Sequence, residues 1–348
     1  MLKHKFGFYL FAVLFAIMVS PSQGLAAPAA PKAKIIVAKS GGNYTTITAA
    51  LNAITPSAGN PYVIEVWPGT YSENITMKSY VVLQGSGRDV TTIQGTSTIN
   101  PTIDIRSLSQ VTVAGFTVKG AADQGIVSQN SSFITIKDNK VVDLANGAGI
   151  NNFGVTSVVI SNNILENNGY GGIGCYSCTD VIITRNAVSG GGGGISVAYA
   201  SSLIIEENKL ARCISAQFAD AVQIIGNHIS TSSSCGILTY GSAGIIKDNT
   251  VTSGGYGINV NHEDFYNTGF VTISGNIVTV NSGPGLFLSS KTKVQHNQIG
   301  DTGTGTPTHV EIGAGSTNVS LNFNVYDRIN GAPTGSAFNA KSDGTPWP

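Results

Sequence analysis

Ile134-Thr-Ile136-Lys-Asp-Asn139-Lys-Val141 and Val158-Val-Ile160-Ser-Asn-Asn163-Ile-Leu165 are two settings of one phrase: apolar, any, apolar, any, any, Asn, any, apolar. Val181-Ile-Ile183-Thr-Arg-Asn186-Ala-Val188 and Leu203-Ile-Ile205-Glu-Glu-Asn208-Lys-Leu210 repeat it, and it returns around Asn227, Asn249, Asn276 and Asn297. A weaker copy comes before, with Phe116 in the Asn slot, and a degenerate one follows near Asn322. Nine steps from 116 to 322 give a period of about 23 residues, the signature of a solenoid.

Most Asn phrases are preceded by a Gly-Ile phrase: Gly125-Ile126, Gly149-Ile150, Gly172-Ile173, Gly194-Ile195, Gly236-Ile237 and Gly257-Ile258, with Cys213-Ile214, Gly285-Leu286 and His309-Val310 filling the slot with substitutions. Two short alternating strands per turn, plus the apolar residue after each Asn, predict three faces around a filled interior. Coils stacked at about 4.8 Å make ten to twelve of them a rod of roughly 50 Å. The recurring Asn fits a tight corner, because Asn tolerates the left-handed backbone conformation and bonds locally. Its amides can also bond to one another along the stack. Asn139 and its seven successors are therefore expected to be structural rather than a ligand array.

The composition agrees. Charged residues make up 11% of the chain against about a quarter in ordinary globular proteins, while glycine is abundant at 43 residues. Basic and acidic residues number 19 each, and removing Lys3 and Lys5 with a leader leaves 17 − 19, about −2. Nucleic acid is not an expected partner, since no basic face is in prospect. Residues 1–26 read as a secretory signal: Lys3, His4 and Lys5, an apolar run from Phe6 to Val19, then Gly24-Leu25-Ala26. That run falls short of the roughly 20 residues that span a bilayer. A secreted, periplasmic or cell-surface location, with no integral membrane segment after cleavage, is the expectation. A lead-in at 27–33, one solenoid domain at 34–325 and a tail at 326–348 complete the division.

Cys175, Cys178, Cys213 and Cys235 allow three disulfide pairings. Cys213 and Cys235 stand about one repeat apart, a spacing that suits adjacent coils. Cys175-x-x-Cys178 invites a metal or redox reading, but no second pair completes a ligand set. Cys175 is read here as a small apolar side chain stacked inside the repeat. At the start, Lys34 to Ala38 forms a strand. Thr46 to Ile54 forms a short amphipathic helix with Ile47, Leu51 and Ile54 on one face and Thr45 or Thr46 as its cap, placed to cover the open end of the core.

These features together resemble the right-handed parallel β-helix of the pectin-lyase-like superfamily. The coils from about 103 to 325 are similar to β-helix repeats of carbohydrate-binding proteins, sugar hydrolases and NosD-type periplasmic proteins. The opening segment resembles pectin methylesterases: Tyr44-Thr45-Thr46-Ile47 with Ala49-Ala50-Leu51, then Gly69-Thr70-Tyr71-Ser72-Glu73, then Leu83-Gln84-Gly85-Ser86-Gly87 with Thr92-Ile93. The resemblance implies an all-β, right-handed single-stranded parallel β-helix. It does not carry the esterase chemistry, because the Q-A-V-A, Q-D-T-L and D-F-I-F-G segments of that family are missing. The clustered Asp and G-H-G/R-I-K pair of polygalacturonases and the Ca²⁺-binding carboxylate cluster of pectate lyases are missing too. Gly69, Tyr71 and Glu73 thus imply an entrance coil rather than an active site.

Two places remain for function. Counting three residues on from each Gly-Ile phrase, the outward row reads Gln129, Phe153, Tyr176, Ala198, Gln217, Tyr240, Asn261 and Ser289. Aromatic and amide side chains in a line suit sugar rings, so Phe153, Tyr176, Gln217 and Asn261 are the candidate substrate-binding residues. The second place is the long step of 28 residues from Ile258 to Leu286, which carries His262, Glu263, Asp264 and Tyr266. A His beside carboxylates can serve as general base, with Tyr240 or Tyr266 as acid, so His262, Glu263, Asp264 and Tyr240 are the candidate catalytic set.

Tyr256-Gly257-Ile258-Asn259-Val260-Asn261-His262-Glu263 distantly resembles the Y-G-F-D-P-H-E segment of alginate C5-epimerases. Asn259 stands where that family has its catalytic Asp, Asn261 stands where it has its catalytic His, and no Arg follows in the next coil. The expectation is a protein that binds or modifies polysaccharide or cell-surface glycan of a pectin or uronate kind, with binding ahead of complete catalysis. A lyase, epimerase or esterase acting near His262 is one alternative, and a structural or adhesive rod the other. No cofactor is expected, and a Ca²⁺ site would need a carboxylate cluster that the sequence does not supply.

Overall fold

The computed structural model describes residues 33–337 apart from 121–123, 233–234, 262–268, 303–307, 315, 323, 325–328 and 331–334. The chain winds as a right-handed parallel β-helix with three parallel sheets of 14, 12 and 11 strands. We call them sheets I, II and III in that order. A regular coil runs from sheet II through a corner into sheet I, through the Asn corner into sheet III, and back to sheet II. Consecutive coils pair in register across every sheet.

Alternation along each strand fills the interior. In Ser132–Lys137, Ile134 and Ile136 are buried while Thr135 and Lys137 face outward. Stacking turns that alternation into rows. One row in sheet II runs Ile126, Ile150, Ile173, Ile195, Ile214 and Ile237. All six are at most 2% exposed. A side chain of this kind gains about 1.5–3 kcal/mol by leaving water, so the rod is stabilised coil by coil. All of these isoleucines but Ile214 follow a glycine, and the glycine has a steric reason: a Cβ at Gly125 or Gly172 would run into Val141 or Val188 of sheet III.

The Asn corner is an amide ladder. Asn163 Nδ2 donates to Asn186 Oδ1 at 3.0 Å and to the Ile136 carbonyl at 2.9 Å, and Asn186 repeats this towards Asn208 and Ile160. Backbone N–H groups join in, with Asn163 N reaching Asn186 Oδ1 at 3.0 Å. Two details differ from the sequence reading. The left-handed residue is the one before the Asn, such as Asp138, Asn162, Arg185 or Glu207. The Asn side chain instead fills the inside of the bend. The ladder also ends on Asn324 rather than at Asn322, since Asn297 Nδ2 donates to Asn324 Oδ1 at 3.0 Å.

The entrance coil explains the Gly-x-Tyr-x-Glu segment. A helix spans Ile47–Asn52, capped by Thr46, and buries Ile47, Ala50 and Leu51 over the end of the core. The Glu73 carboxylate accepts from Ile47 N at 2.8 Å and Thr48 N at 2.9 Å, where first-turn donors lack helical partners and favour negative charge. The Tyr71 hydroxyl donates to the Trp67 carbonyl at 2.9 Å. Burial, with the Glu73 charge adding to it, pushes that phenol above its ordinary pKa. Among the described residues no helix is long and apolar enough to cross a membrane.

The cysteines pair as Cys175–Cys178 and Cys213–Cys235. The second bridge joins adjacent coils, as the spacing suggested. The first corrects the reading of Cys175 as a free apolar side chain: it is buried, but bonded to Cys178 across the corner that Tyr176 and Ser177 form.

Candidate functional site

Strand pairing puts Gln129, Phe153, Tyr176, Ala198, Gln217, Tyr240 and Asn261 in one outward row of sheet II. The candidate binding residues Phe153, Tyr176, Gln217 and Asn261, and Tyr240 from the candidate catalytic set, therefore do share a face. The row becomes a continuous aromatic surface only with two residues that the sequence reading passed over. In the coils where the row holds Ala198 and Gln217, the next residues are Tyr199 and Phe218, and their rings occupy the gap. Tyr176, Tyr199, Phe218 and Tyr240 stand at centroid spacings of 5.1, 5.0 and 5.1 Å.

The ring orientations matter for what the surface can hold. Tyr199 and Phe218 are stacked at 18°, so each spends a face on the other. Tyr176 is turned 67° to Tyr199, and Tyr240 is turned 87° to Phe218. The end rings thus meet the stacked pair edge-to-face rather than extending the stack. Tyr176 and Tyr199 are each 49% exposed. Tyrosine offers an apolar body and a polar tip, the combination that suits a sugar ring with its apolar face and hydroxyl rim.

Backbone conformation places the two extra rings. Tyr199 and Phe218 have φ of 54° and 50°, a left-handed conformation that is uncommon for bulky residues. The same corner position in neighbouring coils holds Gly154, Ser177 and Gly241. A strained residue of this kind costs of order 1–3 kcal/mol. Each aromatic contact returns about 0.5–1.5 kcal/mol, and Tyr199 and Phe218 each make two, so the ring contacts offset strain of this size.

Beside the ladder lies a cleft of about 230 Å³, lined by Phe153, Tyr176, Asn151, Gly174, Ser196 and Tyr170 among others. Tyr170 reaches in from the connection between sheets III and II and is 79% exposed. Gln217 is partly engaged, its Nε2 donating to Ser215 Oγ at 3.0 Å. Asn261 closes the strand Tyr256–Asn261 and pairs with Tyr240 in the neighbouring coil. His262, Glu263 and Asp264, with Tyr266, lie outside the described residues.

Among the described residues, the outward carboxylates of sheet II are Asp104 and Glu311. Nine coil steps separate them, roughly 43 Å, whereas paired acids of glycoside hydrolysis stand within about 10 Å. Asp104 is in any case paired with Arg106 at 3.0 Å. Within those same residues no group of three or more His, Cys, Asp or Glu is placed to hold a metal ion. What the face offers chemically is stacking and hydrogen bonding.

The comparisons with known proteins agree with the fold. The family described as right handed beta helix region matches residues 101–221 and 212–340. The chain belongs to that family. It is a pectin-lyase-like β-helix, and its first coils, residues 34–145, also match the pectinesterase family. Probable pectinesterase 56 of Arabidopsis thaliana is 34% identical over 103 residues, 28% of this chain and 34% of that protein. Pectinesterase 2 of Citrus sinensis is 36% identical over 87 residues, 24% of this chain and 17% of that protein. This β-helix thus spans about a third or less of these curated relatives.

Among solved structures, the A-module of mannuronan C-5 epimerase AlgE6 from Azotobacter vinelandii superposes with a TM-score of 0.58 at 16% identity, over 85% of this chain and 94% of that one. The catalytic domain of a GH87 alpha-1,3-glucanase gives 0.56 at 13% identity, over 92% of this chain and 67% of that one. At such identities the likeness is one of fold.

Proposed function

We propose that this β-helix binds polysaccharide along the outward face of sheet II, with the Tyr176–Tyr199–Phe218–Tyr240 ladder as its contact surface, and that binding rather than complete catalysis is its role. The observation that carries the reading is the ladder itself: Tyr199 and Phe218, both in left-handed conformations, complete an outward line of four rings. The pectinesterase relatives and the polysaccharide-acting fold neighbours point to the same ligand class. Pectin-like uronate polymers are the substrate class we favour. Arg212 supports that choice: it is the one guanidinium or ammonium group on the described connections entering sheet II, and it belongs to the coil that carries Phe218. A guanidinium suits a sugar carboxylate because it can donate two parallel hydrogen bonds. Export fits as well, since two disulfides suit an oxidising compartment and residues 1–26 have the make-up of a secretory signal.

A lyase, epimerase or esterase activity is the second reading, and one observation favours it: the insertion carrying His262, Glu263 and Asp264 is rooted beside Asn261 and Tyr240, at the end of the ladder. One experiment separates the two. The mature protein, a Tyr199→Ala/Phe218→Ala variant and a His262→Ala variant are tested on pectate, methylated pectin and alginate, for retention in affinity gels and for unsaturated product, methanol and epimer ratio. Retention lost in the ladder variant, with no product from any protein, is expected. Product formed by the parent and abolished by His262→Ala would replace the binding reading with the enzymatic one. Retention equal in parent and ladder variant would remove the ladder as the site.

A further inference from the structure

Sheet I carries a groove on a different face of the rod from sheet II, beyond the corner that holds Tyr199 and Phe218. Its cavity of about 680 Å³ is the larger of the two described here. The floor is a column of outward residues in register: Val82, Thr112, Thr135, Val159, Ile182 and Ile204. All are β-branched, and five coil steps make the strip roughly 24 Å long. Beyond Ile204 the column continues with Gln223, and the apolar strip stops.

The wall towards the corner has a backbone cause. In coil after coil the second residue of the sheet I strand is left-handed: Gln110 at φ 55°, Phe133 at 57°, Ser157 at 58°, Asp180 at 52° and Ser202 at 52°. These residues break the strand alternation, and all five line the groove beside its floor. Four of the five are hydrogen-bonding side chains. Each coil therefore offers an aliphatic patch below and, in most coils, a polar group at the side, repeated at the spacing of the coils.

We propose that this groove is a second glycan-binding site, for a neutral polysaccharide chain lying along the rod. The repeat argues for a polymer with a hydrogen-bonding edge and an apolar face along its whole length. An alkyl chain has no use for a polar group in each coil. Charge decides between neutral and acidic glycans: Asp180 is the one charged residue in the lining, which has no Lys, Arg or His to meet a uronate. The inference stands apart from the ladder, since it rests on other residues and names a different ligand.

The test uses full-length mature protein and a panel of soluble polymers: a β-glucan, a galactomannan, a xylan and polygalacturonate. Ile182→Glu puts a charge on the outward floor, and Thr135→Trp fills the groove with bulk. Both positions face solvent, and thermal melts check that folding survives. The expected result is at least tenfold weaker retention on one or more neutral polymers in both variants, with retention unchanged in Tyr199→Ala. Absence of neutral-polymer retention in the parent protein overturns the proposal, as does retention that both groove variants leave intact. Loss of neutral-polymer retention in Tyr199→Ala alone would move that binding to the ladder. Uptake of a fluorescent fatty-acid probe that Ile182→Glu abolishes, with no glycan retained, would make the groove a lipid site instead.

Discussion

The rod carries a ladder at each of two corners, the Asn ladder over most of its coils and the ring ladder over four, and they are opposites. At the corner between sheets I and III, asparagines stack with their amides inside, each bonded to the next coil and to a carbonyl of the previous one. At the corner between sheets II and I, aromatic rings stack outside, Tyr176 and Tyr199 half exposed and Phe218 and Tyr240 partly buried. Both corners use left-handed residues, and both repeat at the rise of one coil. The difference lies in direction. The Asn ladder turns its donors and acceptors inward onto the fold, whereas the ring ladder turns rings outward, with Tyr176 and Tyr199 each 49% exposed.

The largest expected effect comes from breaking the closed ladder. Asn186→Ala removes bonds to the Ile160 carbonyl and to Asn208, and strands the N–H of Asn163 that Asn186 accepted. Each buried group left unsatisfied costs about 1–3 kcal/mol, so a loss of roughly 3 kcal/mol or more is expected in denaturant unfolding. Asn186→Asp sharpens the point. Buried among carbonyl oxygens, the new carboxyl has its folded pKa raised above its unfolded value. Its stabilising protonated form is present at low pH and lost as pH rises through the folded pKa, so the variant should melt higher at about pH 4 than at about pH 8.

A smaller effect, on another axis, follows from opening the ring ladder. Phe218→Ala should reduce polysaccharide retention about tenfold while moving the unfolding midpoint little, because the lost aromatic contacts, about 0.5–1.5 kcal/mol each, are offset in part by easier backbone geometry. The smallest effect is expected from Tyr199→Gly. Glycine takes the left-handed corner without strain, as at Gly154 and Gly241, so stability should stay within about 1 kcal/mol of the parent while retention falls. If Tyr199→Gly destabilised the rod as much as Asn186→Ala does, the two corners would not differ in kind.

Much of this architecture was legible because it is periodic. The inward isoleucines, the stacked amides and the glycine before most of those isoleucines follow from repetition and from the volume available between sheets. The outward row from Gln129 to Asn261 could be counted for the same reason. What escaped the reading depends on backbone conformation that the alternating pattern does not encode. The residue before each corner Asn, rather than the Asn, is left-handed. Tyr199 and Phe218 sit one place off the counted row, and only their left-handed φ brings them into line. A signal existed: an aromatic directly follows the row residue at Ala198 and at Gln217. The wall of the sheet I groove escaped for the same reason, since its residues interrupt strands that otherwise alternate. The Cys175–Cys178 bridge needed the fold of a single corner, which repetition says nothing about.

The bridge between Cys213 and Cys235 has a consequence for how such a rod comes apart. Stacked coils can peel from an end one at a time, because each is held by its neighbours alone. A covalent tie between adjacent coils makes two of them leave together or not at all. Peeling that starts at the far end and works back meets this tie at Cys235, in the strand that also carries Tyr240. Three of the four rings lie on the sheltered side of that stop.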